Sequence, residues 1–211
     1  MSTPHRNRRS DYAEATRLAI VEAARQLFSH KGYFATTVEE IAAEARVAPT
    51  TVYAVGGGKQ GLLRTLVDIW SQAPVVAASM DELDSLTDPD ALLRQLSAVT
   101  RSMRESFGDI MRILIATAPH NEGAAEGLAI GTRRYRDALA TVAAHLRTIG
   151  GTHPEMTVDQ ATDILWFYFG YSGYFTLVDQ NGWSYDQAES WLAHQATMAL
   201  RAPRPCAESS G

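Results

Sequence analysis

The chain carries a single cysteine among 211 residues, Cys206, in a segment rich in proline and serine. One thiol excludes an intrachain disulfide and fits a reducing compartment. No run of 18 residues is apolar throughout, so no segment is expected to span a membrane. The opening Met1-Ser2-Thr3-Pro4-His5-Arg6 has no apolar stretch behind its charge, and no secretory signal is expected. These absences together give a cytoplasmic expectation. Sustained period-two alternation of β-branched residues is also missing, so no strand is predicted and the chain is read as all-α. The six histidines are scattered, with neither His-x-x-x-His nor Cys–His spacing, so no metal and no cofactor is expected. Without strands there is no strand-led glycine loop to cradle phosphate. Asp159 and Asp163 share a helix face, but exposed carboxylates usually serve solvation, and no catalytic signature stands out. A helical-bundle enzyme is therefore the weakest of the functional readings.

Strong basicity is lacking too. The net charge of −5 argues against a general nucleic-acid coat. The distribution is more informative. Residues 1–60 hold 8 Lys and Arg against 6 Asp and Glu, whereas residues 61–211 hold 11 against 18. The basic end is the N-terminal one.

Helical periodicity is what the chain has in quantity. A first helix is predicted from Tyr12 to His30, with Ile20, Ala24, Leu27 and Phe28 on one face and Gly32 as its terminator. Two short helices follow, then the breaker Gly56-Gly57-Gly58. A long fourth helix is predicted from Lys59 to Met80, carrying Leu62, Leu63, Leu66, Ile69 and Trp70. It is expected to be the only continuous link between two domains. Further helices are predicted at Asp90–Ser106, at Asp109–Ala118 before Pro119, and from the polar stretch His120–Gly127 to Gly150-Gly151. Thr157 caps a helix at Val158–Gln180, which Asn181-Gly182 stops, and a last helix covers Tyr185–Arg201 before Pro203. This makes about nine helices. The domain division is residues 1–60, residues 61–202, and a disordered tail at 203–211.

The segment Thr36 to Tyr53 reads as two helices joined by a tight turn. Thr37 and Glu40 have capping-box spacing. Val38, Ile41, Ala42 and Ala45 mark one apolar face, the turn is Arg46-Val47-Ala48, and Pro49 sits where a first-turn proline costs nothing. The second helix, Pro49 to Val55, presents Thr50, Thr51 and Tyr53 outward. A helix-turn-helix places a short helix in the DNA major groove with this geometry. With Ile20 to Phe28 and Lys31-Gly32-Tyr33 upstream, and Lys59 and Leu62-Leu63 downstream, the segment resembles the DNA-binding domain of the TetR family of bacterial transcriptional regulators. The resemblance covers about residues 13–66.

A lysine in the first turn of a helix opposes the macrodipole unless an anion docks there, so Lys59 is either a solvated lysine on a turn or a phosphate ligand. The resemblance implies the phosphate role for Lys59, with Tyr53 contacting the backbone nearby and Thr36 and Thr37 adding contacts from the end of the second helix. Pro49, Thr50 and Thr51 open the recognition helix. None is a long bidentate reader, so direct readout leans on hydroxyls and thymine methyl contacts. Arg46 is the nearest candidate for a guanine or phosphate contact. Arg6, Arg8 and Arg9 form either a groove-reaching arm or a solvated tail. One position departs from the family, whose members usually carry an aromatic residue where this chain has Gly56. The missing ring is expected to weaken packing at the junction of the third and fourth helices.

The run Trp166-Phe167-Tyr168-Phe169-Gly170-Tyr171-Ser172-Gly173-Tyr174-Phe175 is aromatic around much of its helix, so burial on more than one side is expected. Gly170 and Gly173 each cost roughly 1 kcal/mol against alanine in a helix, which implies close approach by a neighbour or room for a ligand. The resemblance implies that the last two helices form a homodimer, with Leu165, Phe169, Ser172, Gly173, Leu192 and Ala196 at the interface. Trp70, Phe107, Met111, Leu114, Trp166 and Tyr168 are candidates for an apolar pocket, or for plain core. The reading is a dimeric regulator, a repressor, of a near-palindromic double-stranded DNA operator, released by a small apolar or aromatic effector. A constitutive dimeric DNA-binding protein without an effector is the alternative.

Overall fold

In the computed structural model, which describes residues 8–72 and 74–201, all regular structure is helical. The chain runs α1 (Arg8–Lys31), α2 (Val38–Glu44), α3 (Pro49–Gly56), α4 (Gly58–Ser71), α5 (Pro74–Ser85), α6 (Pro89–Thr117), α7 (Glu122–Thr148), α8 (Val158–Phe169), α9 (Tyr171–Phe175) and α10 (Tyr185–Arg201). A 3₁₀ turn at Ala118–His120 precedes α7, and a π turn at Thr176–Gln180 follows α9. The expectations for Arg6, Cys206 and the tail 203–211 fall outside the described residues, as do the side chains of Arg8 and Arg9. Among the described residues no helix is long and apolar enough to cross a membrane.

Three helix boundaries differ from the sequence expectation. The fourth helix stops at Ser71, and a separate helix begins at Pro74. Proline lacks the N–H that an unbroken helix would need there and disfavours a helical residue before it. The two helices expected at 90–106 and 109–118 are one, α6, which runs straight through Gly108. A lone glycine costs a helix about 1 kcal/mol and does not end it. The helix expected at 158–180 breaks at Gly170, whose backbone is extended at ψ −173°, and continues as α9 and the π turn.

The described residues group into two compact units. One comprises 8–72 with Phe107–Ile130, the other 74–106 with 131–201. The long helices α6 and α7 therefore contribute residues to both. This corrects the expectation that the fourth helix is the only continuous link, since α4 ends inside the first unit.

In the first unit α1, α2, α3 and α4 pack on one another around Ile20, Ala24, Phe28, Ile41, Val52, Leu62 and Leu66, all at most 2% exposed. Arg25 of α1 holds Asp109 of α6 by two hydrogen bonds, at 2.5 and 2.7 Å. Tyr33, Gln60 and Asn121 form a polar chain from the α1–α2 loop through α4 to the start of α7, with Tyr33 donating to the Gln60 side-chain oxygen at 3.0 Å and Asn121 doing so at 3.1 Å.

In the second unit α8 and α10 pack along Ala161, Leu165, Phe169, Ala188, Leu192, Ala196 and Leu200, within a core that includes Leu92, Leu93 and Leu96 of α6 and Leu139, Val142 and Leu146 of α7. Tyr174 is fully buried and donates to the Ser97 carbonyl at 3.2 Å; burial pushes its hydroxyl up to about 12.

Candidate functional site

The turn between α2 and α3 is built by backbone hydrogen bonds. Val47 N–H reaches the Ala42 carbonyl at 2.9 Å and Arg46 N–H the Ala43 carbonyl at 3.2 Å, the Schellman arrangement that closes a helix end. The residue at its centre must adopt a left-handed backbone, and it is Arg46, at φ 56°. Glycine would meet that requirement without strain, whereas an arginine there costs about 1 kcal/mol. The Arg46 side chain is exposed.

Thr37 caps α2 as its spacing predicts. Its hydroxyl accepts from Glu40 N–H at 3.2 Å, and the Glu40 carboxylate accepts from Thr37 N–H at 2.9 Å. Glu40 also pairs with Lys31, and the Lys31 ammonium and then the Thr37 N–H hold its carboxyl below the usual range. Thr36 departs from expectation. It is 1% exposed and gives its hydroxyl to the Gly32 carbonyl at 2.8 Å, closing the α1–α2 loop. Its side chain is an internal fastening.

On α3, Val52 is fully buried and anchors the helix, while Pro49, Thr50, Tyr53 and Ala54 lie exposed and Thr51 is half-buried. These exposed positions fall on one face at helical spacing. The face is uncharged apart from its flanks, and it offers the hydroxyls of Thr50 and Tyr53.

The glycine junction is tighter than the missing ring suggested. A side chain at Gly56 would meet Leu62, whose Cδ2 lies 2.8 Å from where a Cβ would stand, so Leu62 fills the space. Gly57 and Gly58 both have φ 66°. The carbonyl of Gly56 lies so close to the Cα of Gly61 that any Cβ there would collide with it. The Tyr53 ring lies over Gly58, 3.1 Å from the place of an added Cβ. Lys59 follows, its ammonium 3.5 Å from the Phe34 carbonyl and 4.7 Å from the centroid of the Tyr33 ring. Burial lowers its pKa, against the opposing charge of Glu40.

The six residues expected to line an effector pocket divide between the units. Trp70, Met111 and Leu114 are at most 5% exposed and Phe107 is half-buried, all in the first unit. Trp166 and Tyr168 belong to the second, where both line a groove of about 640 Å³ together with Tyr171, Thr176, Leu177 and Trp191.

Beside that groove lies a centre the sequence reading missed. Arg104 of α6 is 2% exposed. Its guanidinium faces the rings of Tyr171 at 5.5 Å, Tyr135 at 5.7 Å and Phe175 at 5.9 Å. Its Nη2 donates to the Phe169 carbonyl at 2.9 Å, and the Tyr135 hydroxyl donates to the same oxygen at 2.7 Å. The break at Gly170 frees this carbonyl from the helix ladder, and the two side chains replace the lost bond. The hydroxyls of Tyr171 and Thr132 are 3.0 Å apart, and burial pushes the Tyr171 hydroxyl up. Trp166 packs edge-on against Tyr171 and Tyr135, with centroids 5.2 and 5.7 Å away. Arg104 had one signal in the sequence: it stands four residues after Thr100, within the buried stripe that continues through Ile110 and Leu114.

Of the residues expected at the dimer interface, most lie inside the chain. Leu165, Phe169, Leu192 and Ala196 are at most 1% exposed and form the α8–α10 seam inside the chain. Gly173 is half-buried, and a Cβ there would stand 3.4 Å from Leu192, so its smallness serves that seam; Ser172 alone of the six is exposed. The large apolar side chains left outside are Phe167 on α8, 72% exposed, with Trp191 at 41% and Met198 at 58% on α10.

Comparison with known proteins bears on both units. Residues 20–66 match the family model described as "Bacterial regulatory proteins, tetR family". No curated protein matches the sequence. Solved structures match over most of their length. The fatty acid degradation regulator FadR from Bacillus halodurans aligns with TM-score 0.71 at 17% identity, covering 89% of this chain and 97% of that one. The TetR family transcriptional regulator PfmR from Thermus thermophilus aligns with TM-score 0.65 at 20% identity, covering 88% and 95%. FadR from Bacillus subtilis in complex with stearoyl-CoA aligns with TM-score 0.67 at 14% identity, covering 87% and 99%. At these identities the likeness is one of fold.

Proposed function

We propose that this chain, which belongs to the TetR family of bacterial regulatory proteins, is a homodimeric repressor that binds a near-palindromic operator and is released by a small effector. The observation that carries the reading is the exposed face of α3. Pro49, Thr50 and Tyr53 stand clear of the core, Val52 anchors the helix from behind, and Lys59, Thr37 and Arg46 flank it. Thr50 and Thr51 meet bases, while Thr37, Arg46, Tyr53 and Lys59 meet phosphates.

Two-fold symmetry is the usual means by which two such helices match two half-sites. Phe167, Trp191 and Met198 form the face that a second copy covers. Exposed apolar groups of this size gather at protein interfaces more often than on free surfaces.

The effector is an apolar or aromatic compound that binds in the second unit against Trp166, Tyr168 and Tyr171, in a groove whose outer wall, Phe167 and Trp191, belongs to the face that the second copy covers, so the partner closes it. The route to DNA is α6. Arg104 and Asp109 are five residues apart on it, about 7.5 Å of helix rise. Asp109 grips Arg25 of α1. The effector must bind the released conformation more tightly, since equal affinity for both would shift nothing.

The test is selection of bound duplexes from a random-sequence pool, followed by titration of the selected duplex. Enrichment of an inverted repeat, bound by two chains per site, supports the reading. Binding that follows ionic strength alone, without any enriched sequence, overturns it.

A further inference from the structure

We infer that the corner between α6 and α7 sets the position of Lys59 through Asn121, Gln60 and Tyr33. This rests on the DNA-binding reading above and adds positioning residues to it, none of which need touch DNA. The Lys59 ammonium lies against two groups of the α1–α2 loop, the ring of Tyr33 at 4.7 Å and the carbonyl of Phe34 at 3.5 Å. Each of those residues is held in turn from the corner. The Tyr33 hydroxyl donates to the Gln60 side-chain oxygen at 3.0 Å, and the same oxygen accepts from the Asn121 amide at 3.1 Å. The Phe34 ring meets the His120 ring edge-on, with centroids 6.2 Å apart.

The corner is itself fixed. Its 3₁₀ turn, Ala118–His120, contains Pro119, and the Asn121 side-chain oxygen accepts from Ala124 N–H at 2.9 Å, which caps α7. With that oxygen committed to the cap, the amide nitrogen of Asn121 is aimed at Gln60. Gly123 makes the approach feasible, since a Cβ there would stand 2.5 Å from the Gln60 amide nitrogen. The start of α7 therefore lies against the first turn of α4, where Gln60 directly follows Lys59.

The consequence for DNA follows from the side chain concerned. A lysine free to turn loses rotamer freedom when it meets a phosphate, and one already laid on a ring loses less. Burial pushes the Tyr33 hydroxyl up, so it stays a donor at neutral pH and the ring keeps its anchor. A movement of the corner turns the ring and displaces the ammonium. Phosphate contacts carry no sequence information, so the loss falls on every duplex alike.

The experiment uses the full-length protein and a duplex of arbitrary sequence, titrated by anisotropy over a range of salt. Tyr33→Phe keeps the ring and removes the hydroxyl, and Gln60→Leu cuts the link at its middle while keeping bulk. Each should weaken binding about three- to tenfold, the scale of one lost hydrogen bond, and lower the salt dependence of log K. In a Lys59→Ala background neither should change affinity by more than about twofold. A merely structural role would cost as much in both backgrounds, and such additive losses overturn the inference. A second readout needs no DNA. The chain has two lysines, Lys31 and Lys59, so isotope-labelled methyl groups placed on them give NMR signals that Lys59→Ala assigns. The Lys59 signal should be shifted upfield by the Tyr33 ring and should move towards that of a free lysine in Gln60→Leu. A signal identical in the native and Gln60→Leu proteins overturns the inference whatever the titrations show. Failure of the native protein to bind any duplex would remove the DNA-binding reading, and the lysine signal alone would then decide the positioning.

Discussion

Lys59 stands over the ring of Tyr33, its ammonium 4.7 Å from the centroid, so the residue read as a phosphate ligand is held by an aromatic face before any DNA arrives. Such a contact aims the side chain and reduces the rotamer entropy lost on binding. Lys59→Ala should weaken all duplexes alike, scrambled or selected, and lower the salt dependence of log K by about 1 per phosphate contact removed. Anisotropy titrations over a range of salt would show it. An unchanged slope with altered base preference would contradict the role.

Arg46→Gly should separate stability from function. Glycine relieves the left-handed strain at φ 56°, so the DNA-binding unit should gain up to about 1 kcal/mol, less the added entropy of the unfolded chain. Operator affinity should fall at the same time, because the only charged side chain of the turn has gone. Denaturant unfolding and DNA titration on the same preparation would test both halves. A variant that is more stable and binds normally would make Arg46 a tolerated misfit.

Gly61→Ala should damage the α3–α4 junction although alanine favours helices. The added methyl points into the Gly56 carbonyl, so the backbone must shift. A cost of about 1–3 kcal/mol is expected, with a larger loss of operator affinity, since α3 hangs from this contact. Unfolding and DNA binding no worse than in the native protein would refute the close approach.

Asp109→Asn keeps the shape of the α6 side chain and removes its charge from Arg25. Burial alone would push the Asp109 carboxyl up, but the hydrogen bonds and charge of Arg25 outweigh it and hold it below the ordinary value. A lowered folded-state pKa stabilises the protein above the unfolded value and is lost as pH falls through the folded one. The native protein should therefore shed this contribution as pH drops below about 4, the ordinary aspartate value, whereas Asp109→Asn should lack it throughout. The pair is about a quarter exposed on each side, so a loss of about 1–2 kcal/mol at pH 7 is expected. Effector response should weaken more than operator affinity if α6 carries the signal.

The dimer face can be tested without touching the core. Phe167→Asp with Trp191→Asp should leave each chain folded, because both side chains are well exposed. Sedimentation should then show monomers, and affinity for a full inverted repeat should fall towards that for a half-site. A variant that stays dimeric moves the interface elsewhere.

The helix-turn-helix was legible in the sequence because its parts are local. A threonine and a glutamate three apart, a proline at a first helical position and a glycine run each act within a few residues. The last helix, Tyr185–Arg201, was legible to its ends for the same reason. What periodicity could not supply was direction. α10 has two apolar faces, and the smaller side chains Ala188, Leu192 and Ala196 pack inward on α8 while Trp191 and Met198 are left outside. Gly108 and Gly170 look alike on the page. One is carried through a long helix and the other breaks one, because only at Gly170 do an arginine and a tyrosine from other helices stand ready for the freed carbonyl. Arg104 itself was hidden by charge, since a basic residue in a helix reads as solvated until the stripe around it is seen to be buried.

Two of the chain's longest helices are tied to one oxygen. α6 reaches the Phe169 carbonyl through Arg104 and α7 reaches it through Tyr135, so a slide of either helix past the other lengthens at least one bond to that atom. The break at Gly170 therefore acts as a detent, a notch that holds α6 and α7 in one register until something competes for the guanidinium. A protein with leucine at 104, phenylalanine at 135 and alanine at 170 would have no notch and every reason to run α8 and α9 together as one helix. It would keep its reading head and its partner, and it would bind its operator whether or not an effector was present.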